Sequence, residues 1–244
     1  MKDALLHWAR VRTAIPALAA GIALPVGSLV VALGCRTAAA EDIDALCAAQ
    51  LPAGAVRVQT LHAIPQVSYT HSAREIRQRL GAKRGTVALG LTQTSTSLVM
   101  EVLLHRAVSE DGLHSCARPE IDVILSHSAI EVMLASEIES DACVAGAVLN
   151  HEMTHVAIER ETLDEAARTV GIQMQEYYRE RVLHGDDSQV TAEIAQQFEQ
   201  RWAPALQALL GASNLRHAEH DERDSYGDKE ACQGALIRLA RSIE

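Results

Sequence analysis

The stretch "HEMTH", residues 151–155, places two histidines four positions apart with a glutamate directly after the first. On a helix at about 100° per residue, His155 lies about 40° round from His151 and one turn along, with Cβ atoms about 5–6 Å apart. Two imidazoles at that spacing can reach one zinc ion at about 2.0–2.1 Å. Glu152 is turned about 100° from His151, so it borders the metal position without competing as a ligand. A carboxylate there can take a proton from a zinc-bound water, whose pKa the metal lowers to about 7. The flanking Leu149, Met153, Thr154, Val156 and Ala157 are uncharged. That context predicts a buried segment, and buried imidazoles need partners. The plainer alternative is a surface helix with two solvated histidines.

The elements that must position these residues divide along the chain. Residues 41–50 read as a short helix. "AVRVQTLH" and "QVSYTH" read as strands, and Ser72 with Glu75 forms a capping box that opens a short helix ending at Gly81. "TVALGLTQ" and "SLVMEVLLHRAV" are expected as two strands around the polar turn "TSTS", and "EIDVILS" as another strand. "GAKRG" and "SEDG" read as turns. From Ser128 onward the pattern predicts helices. The first is "SAIEVMLASEI". A long one capped by Ser140 carries the motif and stops at Gly185. A third is perturbed by Pro204, and the last covers "ACQGALIRLARSI". Strands first and helices second predict an α+β fold: a small, mainly antiparallel sheet followed by a helical half. The expected organisation is one domain over 41–244, strand-rich to 127 and helical from 128.

The N-terminus reads as a separate segment. Lys2, Arg10 and Arg12 precede the uncharged apolar run from Ala14 to Gly34, and Ala38 and Ala40 form an A-x-A site. This predicts a signal peptide over 1–40, cleaved after Ala40, and a periplasmic or secreted protein. An uncleaved anchor and lipid attachment at Cys35 are the alternatives. Cleavage would remove four basic residues and one acidic one, taking the formal charge from -10 to -13. So acidic a chain is not built for nucleic acid, and no stable membrane span is expected after cleavage. The exported chain would keep Cys47, Cys116, Cys143 and Cys232, an even set that predicts disulfides with three possible pairings. A bridge between Cys143 and Cys232 would clamp the tail over the motif helix.

The motif and the layout resemble the zincin metalloproteases. The narrower likeness is to predicted secreted zinc-dependent proteases of bacteria. It is carried by "DACVAGAVLNHEMTH" and, more loosely, by "LRHAEHDERDSYGDKEAC". The resemblance implies one zinc ion, a sheet edge that binds an extended peptide or protein substrate, and Glu152-assisted attack of zinc-bound water on a peptide carbonyl. The metzincin extension would need glycine at 158 and histidine at 161, where this chain has Ile158 and Glu161. Other readings are a non-catalytic exported module on a zincin-like frame and a metal-dependent cell-wall amidase.

The third ligand is open. Glu159 shares the helix face but lies roughly 12 Å along the axis from His151, which suits a partner of His155 outside the coordination sphere. Glu176, the zone where gluzincins carry a glutamate ligand, would require the helix to break near Gly171. The tail offers His217, His220, Asp221 and Asp224, with 217, 221 and 224 on one face by the i, i+4, i+7 rule. His217 is the expected ligand, with Glu176 and Asp221 as alternatives. Tyr177 and Tyr178 are read mainly as packing residues, and the remaining histidines as ordinary polar or half-buried ones.

Overall fold

The structure is a computed structural model that describes residues 11–13, 43–82, 87–109, 112–224 and 231–243. The "GAKRG" loop is described only in part, and the expected leader lies outside these residues except for Val11–Thr13. The fold is α+β, with one mixed six-stranded sheet and helices filling the C-terminal half.

Strand β5 (Ser115–Ala135) is the spine of the sheet. Strand β4 (Gly90–Val108) runs antiparallel to it over its whole length. The other side of β5 is covered in three pieces. Strand β6 (Leu183–His184) lies antiparallel at Cys116 and Ala117, then β2 (Ala55–His62) and β3 (Gln66–His71) lie parallel to it. Strands β2 and β3 follow one line along β5 and part at Pro65, which has no N–H to give the ladder. Strand β1 (Val11–Thr13) pairs parallel to β4 at Val102–Leu104. The sheet is mixed, with the long β4–β5 pairing antiparallel, as the expected mainly antiparallel sheet requires, and the pairings of β2 and β3 with β5 parallel.

Two corrections have one cause. "TSTS" is not a turn, and "SAIEVMLASEI" is not a helix up to Ala135. Both belong to the paired β4 and β5, which slip register where Ser95 faces Ala129 and Thr96 faces His127, leaving Ser128 as the extra residue. A bulge of this kind moves the buried set to the other parity. Ile121, Val123, Leu125 and His127 are buried before it; Ile130, Val132 and Leu134 are buried after it. Joined to Met133 and Ile138, the second set imitates helical spacing. The strand-to-helix boundary therefore falls after Ala135 rather than at 128.

Helix α1 (Ile43–Gln50) precedes β2, and α2 (Ala73–Leu80) starts with the Ser72–Glu75 capping box and ends at Gly81 in the left-handed region. Helix α3 (Ala142–Tyr178) is capped by Asp141, whose carboxylate accepts from the Cys143 and Val144 amides. Its 37 residues span about 55 Å and cross the sheet face. Its N-terminal half packs Val144, Val148 and Val156 with Ile130, Val132 and Leu134. Its C-terminal half packs Leu163, Ala166, Val170 and Met174 with Ile121, Val123 and Leu125. The motif lies between Val148 and Val156 of the first cluster. Gly171 does not break the helix. It lets β2 come close, since a Cβ there would meet the Val58 side chain at 3.1 Å.

Helix α4 (Asp187–Gln197) leads into a π turn at Phe198–Trp202, just before Pro204. Helices α5 (Ala203–Gly211) and α6 (Ser213–Arg223) then fold back over α3. Helix α7 (Ala235–Ile243) ends the described chain.

Two disulfides form. Cys47–Cys116 ties α1 to the start of β5, and Cys143–Cys232 ties the first turn of α3 to the segment before α7. The second is the clamp anticipated above. A chain beginning at Glu41, as the expected cleavage would leave it, should therefore show no free thiol when unfolded without reductant. Its non-reduced peptide map should contain these two pairs alone; any other pairing would contradict the fold.

Candidate metal centre

His151, Glu152 and His155 lie on the part of α3 that faces β4 and α6. His151 and Glu152 are buried, and His155 is half-buried. The Nε2 atoms of His151 and His155 converge to 3.1 Å. The Asp221 Oδ1 stands 3.3 Å from the first and 3.0 Å from the second. Helix α6 also brings in His220, whose ring stacks on His151 at 4.5 Å between centroids. One ligand atom from each of His151, His155 and His220 falls within 4.8 Å of the others, so the three histidines could hold a metal ion.

The donors fit such an ion. A tetrahedral centre with bonds of about 2.0–2.1 Å has ligand–ligand edges of about 3.3 Å, close to the 3.1 Å between the His151 and His155 Nε2 atoms. His220 Nε2 is buried and makes no hydrogen bond among the described residues. A buried nitrogen without a partner costs free energy that coordination would recover. Burial is the main cause that lowers the pKa of both His151 and His155, keeping them neutral as metal ligation requires.

Glu152 is fixed from the sheet side. Thr92 Oγ1 donates to Glu152 Oε2 at 2.8 Å, and its oxygen also lies 3.1 Å from the Glu152 carbonyl. Gly90, at the start of β4, has to lack a side chain, because a Cβ there would sit 2.7 Å from Glu152 Cγ and 2.8 Å from Cδ. Burial pushes the Glu152 carboxyl up to about 7, against the opposing Thr92 hydrogen bond. Such a value suits a group that must both take and return a proton near neutral pH.

The expected third ligand, His217, is not in the three-histidine group. It stands behind His155, with Nδ1 2.8 Å from His155 Nδ1 and Nε2 2.6 Å from Glu159 Oε1. Glu159 is likewise not in that group, and reaches His155 through His217. Burial would raise the Glu159 pKa, but the hydrogen bond and the charge of His217 outweigh it and hold the group below the usual carboxylate range. Glu176 is excluded. It is exposed on an unbroken α3, about 37 Å along the axis from His151. Asp221 is at the site and about half exposed. Asp224 lies 3.8 Å from His151 Nδ1.

Tyr178 is buried against Trp202 far along α3, in the packing role expected. Two of the scattered histidines pair away from the site. His62 Nδ1 meets His127 Nδ1 at 3.2 Å, and His62 Nε2 meets Asp164 at 3.0 Å.

Sequence reasoning grouped the α6 residues on the 217, 221, 224 face and so passed over His220. The buried positions of α6 are Ser213 and His220, with His217 half-buried between them. That is the alternative i, i+4, i+7 set, and the small uncharged Ser213 at its head was the available signal. Gly90 and Thr92 had none, since their roles depend on strand pairing.

Comparison of the chain with protein-family models, with curated proteins and with solved structures finds no match. What the fold and site define is an α+β protein with a three-histidine group able to hold a metal ion and a buried glutamate beside it. Two disulfides fit an exported protein, and no helix among the described residues is long and apolar enough to cross a membrane.

Proposed function

We propose that this chain is an exported zinc-dependent peptidase, with His151, His155 and His220 as zinc ligands and Glu152 as the general base. The observation that carries the reading is the buried Glu152 carboxylate, held by Thr92 directly beside three convergent histidines. Three neutral nitrogen donors favour zinc over calcium or magnesium, which prefer oxygen. When bound, zinc supplies a Lewis acid that polarises a carbonyl and makes water easier to deprotonate.

The chain's own residues do the rest. Glu152 takes the proton of the attacking water at a carboxylate oxygen and delivers it to the leaving amine. Thr92 holds that carboxylate in place by its hydrogen bond. The substrate has a place to lie. Among the described residues, Gly90–Val99 of β4 has no strand partner on the side away from β5, and this edge carries Thr92. An extended peptide can add to such an edge through main-chain hydrogen bonds. The leader over 1–40, removed after Ala40, belongs to this reading.

The test is zinc content and hydrolysis of unfolded protein by the purified exported chain. One zinc per chain, cleavage abolished by a chelator and restored by zinc, is the expected result. Zinc binding without cleavage of any peptide would favour the non-catalytic module or, if peptidoglycan is cleaved, the amidase. No zinc binding would remove the reading altogether.

A further inference from the structure

We infer that Glu159 and His217 form a positioning relay that fixes His155 in its Nδ1–H tautomer and so presents the Nε2 lone pair to the metal. The inference rests on the metal-site reading for its consequence, but not for its geometry.

The proton positions follow from the chain of contacts. Glu159 Oε1 lies 2.6 Å from His217 Nε2, and an ionised carboxylate only accepts, so His217 Nε2 carries a hydrogen. In the neutral ring, His217 Nδ1 is then an acceptor. It faces His155 Nδ1 at 2.8 Å, so that nitrogen must be the donor. His155 Nε2 is left with its lone pair, aimed at His151 Nε2 at 3.1 Å and at Asp221 Oδ1 at 3.0 Å. A lone pair and a carboxylate oxygen converging at that distance mark where a cation would sit.

Both relay members are anchored. Glu159 also accepts from Thr94 Oγ1 on β4, at 3.4 Å. The His155 and His217 rings lie 4.9 Å apart and are tilted by 48°. Glu159 is on α3, two turns beyond His151, while His217 is on α6, so the relay couples the docking of α6 to the orientation of a ligand on α3. A carboxylate often acts directly on a metal-bound histidine. Here a second histidine, His217, stands between Glu159 and His155 Nδ1.

The measurement has two parts. The first is zinc affinity by competition with a chromophoric chelator. His217→Ala should weaken zinc binding about 10–100-fold with one site retained, and His155→Ala should weaken it more. His217→Asn should restore most of the loss, since the Asn Oδ1 stands where the His Nδ1 stood and can accept from His155. Glu159→Gln should weaken binding in the wild-type background and have no effect in the His217→Asn background, where there is no Nε2 to hold. Unchanged affinity in His217→Ala, or a loss equal to His155→Ala without rescue by Asn, would overturn the relay. An equal Glu159→Gln effect in both backgrounds would do the same.

The second part is long-range ¹H–¹⁵N NMR of the metal-free protein at mildly alkaline pH. His155 should appear as the Nδ1–H tautomer and His217 as Nε2–H, and the His155 preference should be lost in His217→Ala. An Nε2–H tautomer at His155 overturns the relay whatever the zinc result. A chain that binds no zinc yet shows the expected tautomers supports the relay and removes the zinc reading.

Discussion

Glu152→Gln is expected to leave zinc at one per chain and to cut peptide hydrolysis by at least about 10²–10⁴-fold, the usual loss of a general acid–base group. The substitution keeps the side-chain volume in a space bounded by Gly90 and keeps an oxygen that can accept from Thr92 Oγ1. What it removes is the ability to hold a proton between the water and the leaving amine. Because Glu152 is not one of the three grouped ligand residues, affinity for zinc should change little. The combination of intact zinc, an unchanged melting temperature within a few degrees and lost turnover separates a catalytic group from a structural one. A Glu152→Gln variant that cleaves as fast as wild type would show that Glu152 is not the base.

His220→Ala should have the next largest effect. If His220 completes the site, its loss should lower zinc affinity by more than the roughly 100-fold upper end for residues outside the coordination sphere. In the metal-free protein the same change should cost little polar free energy, because His220 Nε2 is already without a hydrogen bond among the described residues. The signature is therefore a melting temperature that no longer rises with added zinc, with a metal-free value close to wild type. Asp221→Asn is the comparison. Asp221 Oδ1 is also within 3.3 Å of both motif nitrogens, on a side chain about half exposed. A large loss in Asp221→Asn with normal zinc binding in His220→Ala would transfer the third position to Asp221.

The residues legible in the sequence are those whose geometry is local. The i, i+4 spacing of His151 and His155 fixes their separation on any helix. Glu152 is turned off the ligand line by the same rule, and uncharged flanks are enough to foresee burial. The same holds for the capping box at Ser72, the stop at Gly81 and the disturbance before Pro204. Backbone geometry within a few residues decides each of these, so tertiary packing did not have to be known.

Other features were settled by contacts between distant residues. The register slip at Ser128 exists only where β4 and β5 pair, and it turned a strand into an apparent helix. A break near Gly171 would have been needed to return Glu176 to the site, yet α3 runs on unbroken there against Val58 and leaves Glu176 out of reach. Most telling is α6. Its sequence offers two overlapping faces that share His217, and propensity does not choose between them. Docking through α5 onto α3 rotates α6 so that His220 and Asp221 meet the motif and His217 falls behind His155. The sequence determined the two histidines and the glutamate because one helix holds them. Only the tertiary structure decided the third partner, because the rotation of a second helix about its axis is set by what it packs against.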